Sequence, residues 1–279
     1  MNEENFEFLS NNLKYLGFGE DLNDALKEEL QKQGSEFQLS YSTVFGKDEV
    51  EAILHFRKSH INEMYFFDKY YLHLRKHDVA GELIQPFYIY KGKGITCKEG
   101  YNLLCRRAVN KDLTNKEGQS YNAWLQLDLS ARENESYKIK QYHQNYGFDL
   151  LKALSLLPIK ELSDLADQER LIKSLEKGNF QSVVFEKDGR EKKMWVEANP
   201  RFKKVNVYDS DRHLVKEFSQ ANHFVEEPAG QKSRNGLEMN GQSAVEENAE
   251  REDGKTKAER GIEAPMPVQQ RPKRKRISI

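Results

Sequence analysis

Chemistry needs titratable groups at usable spacings, and three stretches of this sequence supply some. In YKGKGITCKEG, Tyr90 to Gly100, two glycines and the cations Lys91 and Lys93 lie just before a helix start. Free backbone amides and a helix dipole hold phosphate at such a place. The spacing is that of neither a Walker loop nor a dinucleotide fingerprint. Lys91 and Lys93 are therefore a phosphate candidate weighed against an ordinary strand-to-helix connection that needs Gly92 and Gly94 anyway. In QYHQNYGFD, the groups Tyr142, His143, Tyr146 and Asp149 gather at a strand end, where a hydrolase or nuclease would want a base and a carboxylate. The competing reading makes Asp149 a helix cap and Gly147 a turn. The third place is Cys97 and Cys105, eight residues apart on one helix, too far for a bridge and without a CxxC partner for zinc. No HExxH or nucleophile-elbow pattern occurs, so no catalytic residue, metal site or cofactor is expected.

Binding leaves a clearer trace. QQRPKRKRISI closes the chain, and Arg271, Lys273, Arg274, Lys275 and Arg276 neutralise phosphates there without reading sequence. The same run fits a nuclear import signal, or a solubilising tail balanced by the acidic VEENAERED upstream. Aromatic and basic residues also interleave in MYFFDKYY and FYIYKGK, in the manner of surfaces that stack single strands. Core packing is the ordinary use of such strands, and the recognition-motif signature is missing. Trp124 and Trp195 are expected to be packing anchors rather than ligand platforms.

The elements that must position these groups follow from periodicity. Phe6, Leu9, Leu13 and Leu16 form one helical stripe. Residues 20–33 predict a second helix burying Leu22, Ala25, Leu26 and Leu30, with Gly34 as its C-cap. The period then changes to two: Phe37, Leu39 and Tyr41, then Val50, Ala52, Leu54 and Phe56 beyond the turn at Gly46, with further strands from Met64 and Glu82. Thr96 and Glu99 have the spacing of a capping box, which starts a helix from Cys97 to about Arg106. Strands to Leu113, at SYNAWLQLDLS and at YKIKQYHQ come next. A helix capped by Asp149 ends near Pro158, and another should bury Leu162, Leu165, Ile172 and Leu175. Strands at 180–185, 192–198, 204–208 and 213–218 complete the body.

The order, helices followed by an antiparallel meander, comes three times. Trp124 and Trp195 are 71 residues apart, and at that offset Leu104, Lys116 and Gly118 meet Leu175, Lys187 and Gly189. The expected fold is α+β: repeated helix plus antiparallel β-meander modules with a disordered C-terminal tail. Residues 1–92 hold the N-terminal helices and meander, 93–225 two further helix-plus-hairpin modules, and 226–279 the tail. Every Phe, Tyr and Trp precedes Glu226, which leaves the tail nothing large to bury.

Composition bounds the rest. With 279 residues and 44 basic against 45 acidic side chains, the chain can bury a core but has no global field to attract nucleic acid. Its longest apolar runs, such as LLKALSLLPI, are about half of what crosses a bilayer, and the start lacks a basic n-region. The expected location is the cytoplasm, with no membrane partner.

NFEFLSNNLKYLGFGEDLNDALKEEL, RAVNKDLTNKEGQSYNAWLQLDL, QYHQNYGFDL and EANPRFKKVNVYD together resemble an uncharacterised family of Bacteroidetes proteins carried on conjugative and other mobile elements. Related domains of that family occur attached to type IA topoisomerases. The resemblance covers residues 5–218, brings no catalytic motif, and implies a bacterial setting that sets the nuclear signal aside. It implies a mobile-element setting and a protein partner, a topoisomerase or transfer protein. With no catalytic motif in the body and the basic run at the end, the expected function is a non-enzymatic accessory protein whose body contacts protein and whose tail contacts DNA. The alternative is a protein-interaction or regulatory module with no nucleic-acid role.

Overall fold

In the computed structural model, which describes residues 2–220, the first helix begins where its side-chain cap allows. Asn2 accepts a hydrogen bond from Asn5 N at 3.0 Å and opens α1 (Glu3–Tyr15). Asn5 is buried and fully used: its Nδ2 donates to Tyr65 O at 2.9 Å and its Oδ1 accepts from Tyr65 N at 2.7 Å. A helix end is thereby fixed to a strand sixty residues away. The stripe Leu9, Leu13 and Leu16 is buried as its spacing predicts.

The second helix, α2 (Asn23–Lys32), buries Leu26 and Leu30 but leaves Ala25 exposed. Its C-cap is Gln33, not Gly34. Gln33 takes the left-handed conformation at φ 56°, and its Nε2 donates to Leu30 O at 2.8 Å. That side-chain bond supplies what a glycine would otherwise permit.

Four strands follow as an antiparallel meander in the order β1-β2-β3-β4: β1 (Glu36–Phe45), β2 (Asp48–Lys58), β3 (Tyr65–Arg75) and β4 (Glu82–Tyr88). One face carries Leu39, Ala52, Leu54, Phe56, Leu72 and Leu74 into the core. α1 and α2 pack on this side, as does α3 (Cys97–Leu104). Phe18 sits at the centre with its ring edge-on to Tyr41, Phe67 and Tyr70 at 5.1 to 6.0 Å. The aromatic residues divide by face: Tyr65 and Phe67 point to the core, a register shift at Asp68 brings Tyr70 to the same side with Phe87, and Phe66 and Tyr88 are exposed on the opposite face.

The predicted capping box at α3 is present in both directions. Glu99 N donates to Thr96 Oγ1 at 3.3 Å, and Thr96 N donates to Glu99 Oε2 at 2.9 Å. Glu99 is buried, and Lys111 Nζ at 2.9 Å neutralises it. A second meander, β5 (Val109–Thr114), β6 (Ser120–Glu133) and β7 (Ser136–His143), stands between two cores. Ala123, Leu125 and Leu127 of β6 join the core of the first sheet, whereas Trp124 points the other way with Tyr142 into a second cluster.

That second cluster is enclosed by α4 (Leu150–Ser155), α5 (Leu165–Glu176) and a third meander, β8 (Gln181–Lys187), β9 (Arg190–Asn199) and β10 (Lys204–Tyr208). Asp149 caps α4 as expected, accepting from Lys152 N at 2.9 Å. Asp188 and Gly189, at φ 53° and 70°, make the two-residue hairpin that Asp-Gly favours. Two expectations fail. Leu165 is the first residue of α5 and is exposed, the inward stripe being Leu171 and Leu175. Residues 213–218 form no strand: a single bridge joins Tyr208 to Leu214, and α6 (Lys216–Gln220) begins directly after it.

The architecture is α+β with three antiparallel sheets. The two tryptophans sit on central strands, but in different registers. Trp124 pairs with Asn110, whereas Trp195 pairs with Ser182 and not with Gln181, the residue 71 beyond Asn110. Residues 226–279, including Arg271, Lys273, Arg274, Lys275 and Arg276, lie outside the described residues. No helix among the described residues is long and apolar enough to cross a membrane.

Candidate functional site

Lys91 and Lys93 fall in a tight turn closed by Tyr90 N to Lys93 O at 2.8 Å and Lys93 N to Tyr90 O at 2.9 Å. Both side chains are exposed. The amides a phosphate would use at the start of α3 are engaged within the chain: Cys97 N donates to Leu16 O at 2.8 Å, and Glu99 N to Thr96.

The group Tyr142, His143, Tyr146 and Asp149 is split by the strand and the turn that carry it. Tyr142 faces the second core, and burial pushes its hydroxyl pKa up. His143, on the opposite face of β7, packs against Tyr121 with ring centroids 5.3 Å apart. It borders an open polar cleft of about 470 Å³ with Asp112, Ser120, Asn122 and Asn145. Asp149 is occupied as the cap of α4, so no base-carboxylate pair forms between them. A larger open cleft, about 610 Å³, is walled by Leu151, Leu157, Pro158, Ile159 and Leu162.

The structure instead brings Tyr146 to a stretch that spacing could not link to it. The turn Gln144–Tyr146 meets the turn Pro200–Phe202, and Tyr146 OH donates to Arg201 O at 2.8 Å. Lys203, in the left-handed conformation at φ 51°, places its ammonium 5.0 Å from the Tyr146 ring centre. Arg201 and Lys204 flank the Phe202 ring at 5.2 and 5.7 Å. Phe202 is 60% exposed and Tyr146 39%. Among the described residues, neither Arg201 nor Lys203 has a salt-bridge partner within 4.0 Å. Two open rings and the cations Arg201 and Lys203 thus share one ledge, a combination suited to stacking a base and neutralising the phosphate beside it.

Compared with protein-family models, curated proteins and solved structures, the chain matches none. The ledge is therefore weighed on its own chemistry against the other clusters of this molecule.

A second cationic group gathers on α3. The Lys98 ammonium lies 4.0 Å from the Phe45 ring centre and 4.4 Å from that of Tyr101, and Arg107 lies 5.2 Å from Tyr101. Burial, then the Arg107 charge, holds the Lys98 pKa below its ordinary value. Tyr101 OH donates to Asp48 Oδ2 at 2.9 Å, and Arg107 Nη2 to Asn102 Oδ1 at 2.7 Å. Lys98 lines neither of the two clefts described above. On the third sheet, Trp195 stacks on Phe180 at 5.2 Å beneath Arg212, while Trp124 is buried against Phe148. Asp209, Asp211 and His213 carry ligand atoms within 4.8 Å of one another. A turn accounts for them: Asp209 Oδ1 accepts from Asp211 N and His213 N at 3.0 and 2.9 Å.

Proposed function

We propose that this protein is a non-enzymatic accessory protein that contacts nucleic acid, with the ledge of Tyr146, Arg201, Phe202 and Lys203 as the contact on its body. The observation that carries the reading is the exposed Phe202 ring held between two cations. A base gains about 1–3 kcal/mol by stacking on such a ring. The basic run at Arg271, Lys273, Arg274, Lys275 and Arg276 adds sequence-independent attraction. The resemblance of residues 5–218 supplies the setting, a bacterial mobile genetic element and a cytoplasmic location, with a topoisomerase or transfer protein as partner. The 71-residue offset between the second and third rounds is read as an internal duplication, and the N-terminal round matches them in element order alone.

Fluorescence anisotropy of labelled single- and double-stranded DNA with the full chain tests the reading. Phe202→Ala should weaken single-strand binding about five- to 150-fold, following the stacking energy. Arg201→Gln with Lys203→Gln should flatten the salt dependence. A Phe202→Ala protein that binds as tightly as the parent, while glutamine at the five tail cations abolishes binding, would remove the ledge from the account.

One observation favours the alternative, a protein-interaction module without a nucleic-acid role. The outer face of the first sheet is open and aromatic, with Tyr88 69% and Phe66 43% exposed, yet its charges compensate one another. Arg57 meets Asp68 at 3.2 Å and Arg75 meets Glu82 at 2.9 Å. Such a face suits protein better than phosphate. A partner co-purifying in equal amount after nuclease treatment would support this reading.

A further inference from the structure

Among the described residues the three sheets have six edges, and five of them carry a device that stops another strand from adding. Pro86 interrupts β4. β5 is short and bears Lys111 and Asp112, and β7 carries Lys138 and Lys140. At β8, Val184 N donates to the Glu161 carboxylate at 3.0 and 3.1 Å, and Glu186 N to Pro158 O at 2.8 Å. At β10, Val215 N donates to Val207 O at 2.9 Å. Natural proteins blunt sheet edges in these ways because unpaired amides and carbonyls template association.

β1 carries none of them. It is ten residues long, EFQLSYSTVF, with Glu36 at its start as its sole charge and no proline. Its pairing with β2 runs from Glu36 to Phe45 without a register shift, so no bulge turns the edge away. Among the described residues, the one side-chain hydrogen bond to its backbone is Tyr101 OH to Phe45 O, at 3.4 Å and at the far end.

We propose that the free edge of β1 pairs antiparallel with β1 of a second copy of this chain, joining two four-stranded sheets into one across a twofold axis. The strand's own pattern argues for a copy of itself. With Ser40 on the axis, Leu39 faces Tyr41 of the second copy, Phe37 faces Thr43, and Gln38 faces Ser42. Every residue then meets one from the same face of the sheet, as a period of two requires. Glu36 falls opposite Val44, so no like charges meet. A twofold axis also closes the assembly at two chains, because pairing consumes the exposed edge of both. The dimer is independent of nucleic-acid binding and is measured without it.

Sedimentation or light scattering of the full chain across the micromolar range tests this directly. The parent should have twice the 32.6 kDa mass of one chain. Ser40 is exposed on the outer face, so Ser40→Lys leaves the monomer intact but sets two ammonium groups against each other at the axis. Ser40→Lys and Ser40→Glu should each raise the dissociation constant at least about tenfold. Mixing the two variants should restore the dimer, which also shows that each has folded. A parent that stays monomeric throughout the range overturns the proposal, and so does a dimer indifferent to both substitutions.

Discussion

Replacing Gly178 by alanine puts one methyl group where the two cores meet. Gly178 follows α5 at φ +75° and is buried, and Asn102 ties the same corner by donating to Lys177 O at 2.6 Å and to Asn179 Oδ1 at 3.0 Å. A Cβ built there would lie 2.8 Å from Ala108 O, 2.9 Å from Val109 Cγ2 and 3.1 Å from Asn102 Cβ. The nearest of these is a backbone carbonyl, so the crowding is not relieved by a rotamer change. The left-handed backbone costs a non-glycine residue about 1–2 kcal/mol, and forcing extra volume into a packed site about 1–3 kcal/mol more. The expected loss is therefore about 2–5 kcal/mol. Gly118→Ala supplies the control, because Gly118 has nearly the same φ, +82°, with nothing within 4 Å of its Cβ position. It should lose only the backbone part, about 1–2 kcal/mol. Urea unfolding of both variants beside the parent measures the difference. At about 2–4 °C per kcal/mol for a body of this size, a thermal melt separates them as well. Equal losses at Gly178 and Gly118 would refute the claim that the Ala108 carbonyl and Val109 crowd this position.

Two further measurements follow from the titratable groups. Burial pushes the Cys97 thiol up to about 12, whereas Cys105 is partly exposed. At neutral pH a thiol-disulfide reagent should label Cys105 alone in the native protein and both cysteines in denaturant; similar native rates for the two would contradict the burial of Cys97. The Lys140 ammonium at 2.6 Å, aided by Ser130, holds the Asp128 carboxyl below the usual carboxylate range. A depressed carboxylate contributes stability above its unfolded pKa, about 3.9, and loses that contribution as the pH falls below it. Asp128→Asn should cost no more than about 1 kcal/mol at neutral pH, since this pair faces solvent. The gap from the parent should close in acid, and a gap that widened there would reverse the assigned sign.

The elements most legible in the sequence are those whose determinants are local. Thr96 and Glu99 find each other across three residues, Asp188 and Gly189 make their own turn, and the alternation through Val50, Ala52, Leu54 and Phe56 specifies a buried face whatever covers it. Errors arise where a side-chain bond or a tertiary contact chooses among the local options. Gln33 supports its own left-handed cap through Leu30 O, so Gly34 is not needed there. Leu165 shares the spacing of a buried stripe, but as the first residue of α5 it falls beyond the reach of the core that takes Leu171 and Leu175. In residues 213–218 the apolar alternation satisfies one bridge, at Leu214, before Lys216 turns helical. The Trp124 and Trp195 echo does not extend to strand pairing, because hairpin register depends on loop length as well as on the strands. Five residues separate Thr114 from Ser120 and two separate Lys187 from Arg190.

The ledge was out of reach of spacing for a different reason. Tyr146 and Arg201 are 55 residues apart, and they meet through a hydroxyl and a main-chain carbonyl, a group that every residue possesses and no motif records. What the sequence does contain is composition: QNYG and PRFKK are both turns that hold an aromatic residue where a turn has no core to bury it in. An aromatic residue in a turn beside two or three cations is a different signal from one in a strand, because a strand offers an apolar face and a turn offers water. Applied along this chain, that distinction sets aside the inward rings of MYFFDKYY as core material. It retains Tyr146 and Phe202, and with them Tyr90, which is exposed in the turn that carries Lys91 and Lys93.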